Sequence, residues 1–200
     1  MIASVTRGDL IDMTYEGHIA VCDAAGKLLY AQGDPQRLTF ARSSTKPFQA
    51  AAAILTGAIE AYGITDEELA LICGSHAGAQ EHIRVLRSMM DKGSLSEEML
   101  QCGAHPPFDR AARKALTSPP TALHNNCSGK HTGMLLSARY KGEDISTYTE
   151  LSHPHQVRIT EVLGELCDAS VDEFHYGIDG CGVPVHALPL YKFATAFARL

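Results

Sequence analysis

The chain has no tryptophan, and only 6% of its residues are aromatic. It also has no Cys-x-x-Cys pair, no basic arm and no unbroken apolar stretch of the roughly 20 residues that a bilayer span requires. The longest apolar stretch, around Ala50 to Ile59, is interrupted by Thr56 and Gly57. The first ten residues include Arg7 and Asp9 and lack an apolar core run, so they do not read as a signal peptide. A net charge of -6, spread along the chain, argues against nucleic acid or an anionic membrane as the main partner. The expected compartment is the cytoplasm. There the six cysteines (Cys22, Cys73, Cys102, Cys127, Cys167 and Cys181) would be reduced thiols rather than a disulfide framework.

At 200 residues and 45% apolar content the chain is an ordinary globular one. Strand patterns come first. Gly17 to Cys22 and Leu28 to Gln32 flank an Asp23–Lys27 turn, and Ser4 to Met13 reads as one further strand. Helical patterns follow: Ser43 to about Ala58, a segment capped by Thr65 with Glu68, Gln80 to Lys92, a short helix from Ser96, Pro107 to Leu116, Ser128 to Tyr140, and Pro154 to Cys167. Pro189 to Leu200 is amphipathic with no stop signal. The fold class is α+β, strands first and then mostly helical.

Four short segments carry the chemistry. Ser43-Ser44-Thr45-Lys46 contains Ser-x-x-Lys, and residues three apart share a helix face, so the hydroxyl and the amine can meet. A lysine acting as base must lose its proton near neutral pH, which costs roughly 4 to 5 kcal/mol against an ordinary pKa of about 10.4. With 13 serines and 7 lysines, chance alone supplies about half a Ser-x-x-Lys match. The bland alternative is a serine that caps a helix beside a solvated lysine. Cys73-Gly74-Ser75-His76-Ala77-Gly78 is a small-residue turn that offers Ser75 as a second nucleophile or a substrate contact, or is simply an interhelical turn. Asn126-Cys127-Ser128-Gly129-Lys130 opens a helix, where the dipole would acidify the Cys127 thiol. Asp179-Gly180-Cys181-Gly182 brings a second thiol in a polar turn. Two thiolates and a nitrogen suit Zn²⁺ with an open fourth position, and Lys130 is the nitrogen at the right spacing. The alternative is a capped helix with a buried thiol. Of the ten histidines, His124 and His131 flank the first cysteine turn and are candidates for supporting a metal site. His82, His105 and His186 have no partner at ligand spacing, and His153 and His155 read as a surface turn.

Arg42–Pro47, Cys73–His76, His124–His131 and Asp179–Pro184 occur in the order and spacing of the asparaginase II family, the class 3 L-asparaginases of the Rhizobium etli type, which the chain resembles along essentially its whole length. The resemblance implies one domain over 1–200, with a fold similar to serine β-lactamases and penicillin-binding proteins. It also implies hydrolysis of L-asparagine to L-aspartate and ammonia. Carried over position by position, Ser43 and Lys46 resemble one Ser–Lys pair, and Ser75 the serine of a second. Cys127, Lys130 and Cys181 resemble the ligands of a zinc ion, while Arg42, Asn126 and Asp179 lie in matching motifs as substrate contacts. The family pattern extends past residue 200 and places the lysine partner of Ser75 there, so the expected chain lacks the C-terminal part of the fold. A homodimer is a further implication. Two other readings stay open: a penicillin-recognising serine acylase built on Ser43 and Lys46, and an inactive zinc-binding fragment.

Overall fold

The computed structural model describes residues 2–200 and is α+β, with small antiparallel sheets and eight α-helices among the described residues. Two hairpins come first. β1 (Ala3–Arg7) pairs with β2 (Leu10–Tyr15), and β3 (Ile19–Cys22) with β4 (Leu28–Gln32). The single strand read over 4–13 is in fact a hairpin, because Gly8 takes φ 62° and turns the chain. Glycine adopts this left-handed conformation without the Cβ clash that other residues suffer. β5 (Leu38–Phe40) follows, then a 3₁₀ turn over Arg42–Thr45 and α1 (Lys46–Leu55). The helical run expected to reach Ala58 breaks at Gly57, φ 84°, and resumes as α2 (Ala58–Ala61).

The remaining helices are α3 (Asp66–Cys73), α4 (Gln80–Lys92), α5 (Arg110–Ala115), α6 (Ser128–Lys141) and α7 (Pro154–Cys167). β6 (His175–Ile178), β7 (Pro184–Pro189) and the C-terminal α8 (Leu190–Arg199) complete the order. β7 escapes the sequence pattern. It is buried along almost its whole length, so it shows no polar alternation, and proline stands at both of its ends.

The chain gathers into two compact units. One holds the residues up to Phe40 with Leu163–His175 and Ala187–Leu200. In it, α8 lies against β3 and the Cys22 thiol donates to the Tyr191 carbonyl at 3.4 Å. β5 runs antiparallel to the second half of β7, with Thr39 opposite Leu188. Arg199 closes its end by donating to the Ala24 carbonyl at 2.7 Å.

The other unit holds Ala41–Val162 and Tyr176–His186. Its axis is α6, which is buried without interruption from Ser128 to Ala138 and meets α1, α2, α3 and α4. A helix surrounded on all sides shows no amphipathic period, and its polar residues must be satisfied internally. Thr132 and Ser137 comply by donating to the carbonyls four residues before them, at 2.9 Å each. His153 and His155 are buried here, contrary to the surface turn expected of them. Burial lowers the His155 pKa to about 3, so this ring stays neutral.

The predicted capping box opens α3. The Thr65 hydroxyl accepts from the Glu68 N–H at 3.4 Å, and the Glu68 carboxylate accepts from the Thr65 N–H at 2.8 Å. The same carboxylate accepts from Lys92 at 2.6 Å. Burial by itself raises the Glu68 pKa, but the hydrogen bonds from Lys92, Thr65 and Ser88 outweigh it and leave the carboxyl below its ordinary 4.5. A carboxyl depressed in the folded state stabilises above its unfolded pKa and loses that contribution as pH falls through the folded value. Glu68→Gln should therefore lower the melting temperature at neutral pH. The gap to the wild type should close at successive pH values below 4.5, and a gap independent of pH would show that the charge plays no part.

Candidate active site

Lys46 begins α1 with Pro47 directly after it, where the missing proline N–H costs no helical bond. Neither serine before it caps the helix. Ser44 donates to the Ala41 carbonyl at 2.6 Å, and Thr45 to the Arg42 carbonyl at 2.7 Å. Arg42 reaches this turn at φ 49°, a left-handed conformation that costs a non-glycine residue on the order of 1 kcal/mol. Such strain is often found at functional sites. The Lys46 side chain is not solvated: the residue is 1% exposed.

The Lys46 amine lies 2.8 Å from Ser75 Oγ, 2.9 Å from the Gly74 carbonyl and 3.3 Å from the Asn126 carbonyl. Burial is the largest influence on it and pulls its pKa below the ordinary value, partly opposed by the Cys127 sulfur and reinforced by Lys130. The structure thus brings Lys46 to Ser75 and not to Ser43. Ser43 lies one turn earlier, on the exposed side of the 3₁₀ turn, whereas the lysine side chain runs inward. The Ser43–Lys46 contact read from the Ser-x-x-Lys spacing is not made.

Ser75 stands in the turn between α3 and α4. His76 fixes that turn. Its Nδ1 accepts from the Gly78 N–H at 3.1 Å, so its proton sits on Nε2 and points to Ser128 Oγ, 2.8 Å away at the start of α6. Burial, with His82 next, lowers the His76 pKa to about 4, which keeps the ring neutral. The backbone adds a second tie, since the His76 N–H donates to the Asn126 carbonyl at 3.2 Å. The Ser75 hydroxyl itself is exposed and lines a cavity of about 370 Å³ with Gly74, His76, Glu81, His82 and Val85.

The thiols converge behind this hydroxyl. Cys127 immediately precedes α6, Lys130 follows one turn later, and Cys181 arrives in the turn between β6 and β7. All three are buried, and Lys130 donates to the Cys181 sulfur at 3.1 Å. Cys127 shares a hydrogen bond with Cys181, which together with burial drives the Cys127 pKa up. The same bond drives Cys181 far down, helped by His131 and Lys130 and opposed by burial. Because Lys130 donates to Cys181, negative charge is favoured on the Cys181 sulfur over the Cys127 sulfur at the helix N-terminus. The contrast with the bystander thiols is sharp: burial pushes Cys102 and Cys167 up to about 12.

The turn that holds Cys181 is closed by bonds from the Asp179 N–H to the Val183 carbonyl and from the Gly182 N–H to the Asp179 carbonyl, each 2.9 Å, with Gly182 at φ 87°. The Asp179 carboxylate accepts from Arg42 at 3.0 Å. The four motif segments therefore meet around one site, which adjacency in the sequence does not foretell.

The sequence model of the L-asparaginase II family matches residues 3–200. The chain belongs to that family. Comparison with curated proteins gives no match.

Other side chains of this asparaginase II chain join the site unannounced by spacing. His105 accepts from the Asn126 N–H at 3.0 Å while its other nitrogen meets the Pro106 carbonyl at 2.8 Å. Tyr148 reaches His131 at 2.7 Å. His124, expected near a metal, instead accepts from its own Thr121 N–H at 3.1 Å. Among the described residues no cluster of three or more histidine, cysteine, aspartate or glutamate side chains gathers for a metal. Two thiols and an amine do gather, and a soft cation suits that donor set.

Proposed function

We propose that this asparaginase II chain hydrolyses L-asparagine to L-aspartate and ammonia with Ser75 as nucleophile and Lys46 as its base. The observation that carries the reading is the 2.8 Å contact between a buried amine and a serine hydroxyl that lines a cavity. A neutral Lys46 matches its surroundings: two N–H groups serve the Gly74 and Asn126 carbonyls, and the lone pair faces the Ser75 hydroxyl. Ser75 Oγ attacks the carboxamide carbon as its proton passes to Lys46. The amine returns that proton to the departing nitrogen, ammonia leaves, and an ester of Ser75 remains. Water, deprotonated by the same lysine, then cleaves the ester to release L-aspartate. The developing oxyanion needs donors. The Gly74 N–H is engaged with the Leu71 carbonyl and the His76 N–H with that of Asn126, which leaves the Ser75 N–H for the task.

Arg42 and Asp179 are the complementary charges for the carboxylate and ammonium of an amino-acid substrate, and Asn126 is a third contact. Cys127, Lys130 and Cys181 would hold zinc, whose charge would help orient the polar groups of the substrate. A buried lysine at the head of a helix supports the β-lactamase-like fold implied by the family resemblance. Six free thiols support a reducing compartment such as the cytoplasm, and among the described residues no helix is long and apolar enough to cross a membrane.

The test is an assay of this chain for ammonia and aspartate from L-asparagine, with zinc content measured on the same sample. Equal yields of the two products, with stoichiometric zinc, are expected. Zinc without ammonia would reduce the chain to a metal-binding fragment, and a covalent adduct with a fluorescent penicillin would move it to the acylases.

A further inference from the structure

His105 lies in the loop that leads into α5, and that loop is pinned to the two turns that carry Ser75 and Cys127. At one end the Asn125 side-chain amide donates to the Cys102 carbonyl at 2.8 Å, and at the other the Asp109 N–H donates to the Ala77 carbonyl at 2.8 Å. Pro106 and Pro107 follow the histidine and stiffen the loop by fixing φ. The Phe108 ring stacks on the imidazole with centroids 4.9 Å apart. The two ring nitrogens then meet different partners. Nδ1 lies 2.8 Å from the Pro106 carbonyl, which can only accept, so Nδ1 carries a proton. Nε2 accepts from the Asn126 N–H at 3.0 Å, so it carries none. The hydrogen-bond geometry therefore defines a neutral imidazole with one tautomer. Asn126 Oδ1 stands 3.1 Å from that same Nε2. Two acceptors do not attract, and the contact turns favourable when the carboxamide rotates about its Cβ–Cγ bond and offers an Nδ2–H to the ring. Oδ1 then faces away from the ring.

We propose that His105 is the positioning residue for the Asn126 carboxamide: its neutral Nδ1–H tautomer draws Nδ2 toward the ring and leaves Oδ1 to accept from the ammonium of an amino-acid substrate. This rests on reading Asn126 as a substrate contact, and it names which of the two polar atoms makes that contact and what holds it there. The Asn126 carbonyl accepts from Lys46 at 3.3 Å and from the His76 N–H at 3.2 Å, which puts the residue against the Lys46–Ser75 pair. With its N–H held by His105 and its carbonyl by Lys46 and His76, the Asn126 backbone is fixed on both sides and the carboxamide is the part left to turn. An ammonium brings three N–H donors. The Asp179 carboxylate is already shared with Arg42, so a second, neutral acceptor completes the recognition.

The test uses the full chain and measures its affinity for L-aspartate, the product, and for succinate, the same dicarboxylate without the ammonium. In His105→Leu the affinity for L-aspartate should fall about ten- to a hundredfold, the range for losing one hydrogen bond to a charged group, while that for succinate should change less than about threefold. His105→Gln should recover most of the loss, because its Oε1 has two lone pairs and can accept from both the Asn126 N–H and Nδ2. Asn126→Ala should show the same loss as His105→Leu, and the double variant should lose no more than either alone, because both remove one acceptor. Equal losses for the two ligands, additive losses in the double variant, or unaltered L-aspartate affinity in His105→Leu would overturn the inference. Should a variant fail to fold, the wild type decides by itself. Its histidine ¹⁵N spectrum, assigned by backbone connectivity, should show a neutral His105 with the proton on Nδ1, and a proton on Nε2 would overturn the inference. A wild-type chain that binds no L-aspartate, or an Asn126→Ala chain that binds it as tightly as the wild type, would overturn the substrate reading of Asn126 and this one with it. A loss in Asn126→Ala beside wild-type affinity in His105→Leu would overturn this one alone.

Discussion

Ser75→Ala should lower kcat for asparagine hydrolysis by about 10⁴-fold, because it removes the nucleophile and leaves only binding and oxyanion stabilisation. Lys46→Met should cost about 10² to 10⁴, the range for losing a positioned general base. The two losses should not add, because a serine without its base and a base without its serine are both inert. Lys46→Met also leaves the Gly74 carbonyl without its lysine donor, at about 1 to 3 kcal/mol, while the Asn126 carbonyl keeps the His76 N–H, so its melting temperature should fall while that of Ser75→Ala holds. Ser43→Ala is the discriminating companion. The Ser43 hydroxyl is exposed and outside the partners of the amine, so this variant should retain far more activity than Ser75→Ala. Ammonia release by coupled assay, with melting curves on each protein, checks all three. Full activity in Ser75→Ala, or abolition in Ser43→Ala alone, would assign the nucleophile to Ser43.

Gly129→Ala should destabilise the fold by about 2 kcal/mol or more, against the local preference for alanine. In a helix interior alanine is favoured over glycine by up to about 1 kcal/mol. Here a Cβ at position 129 would sit 2.5 Å from the Leu71 carbonyl oxygen and 3.0 Å from the Leu71 carbonyl carbon. That contact is backbone from the last turn of α3 and cannot rotate aside. Overpacking of this kind costs about 1 to 3 kcal/mol and occasionally more. For a chain of this size the melting temperature should drop by about 4 to 8 °C. Activity should fall as well. α3 runs into the Ser75 turn and α6 begins directly after Cys127, so forcing these helices apart moves the hydroxyl and that thiol at once. An unchanged melting temperature would mean that the two helices do not approach as closely as 2.5 Å implies.

Much of the local structure was legible in the chain itself. α4 and α7 have the bounds that their periodicity predicts, and α6 begins at the predicted Ser128. Thr65 and Glu68 form the capping box that their spacing announces. Gly8 and Gly57 mark breaks that the sequence pattern does not announce, since a lone glycine reveals its positive φ only once the turn is formed. The cysteine turns stood out because glycine and polar neighbours are poor surroundings for an inert thiol.

What the sequence determined by itself were the features set by neighbours a few residues apart: helix periods, caps, and the membership of the cysteine and serine turns. Tertiary structure decided the pairings. Lys46 meets a serine 29 positions away rather than the one three positions away, because the first turn of α1 faces the interior and Ser43 faces outward. Negative charge is favoured on Cys181 over Cys127, because Lys130 directs its amine at Cys181. His131 meets a tyrosine 17 positions on that shows no motif at all. Spacing limits which groups can share a helix face, but the protonation state of a buried group depends on every element packed around it.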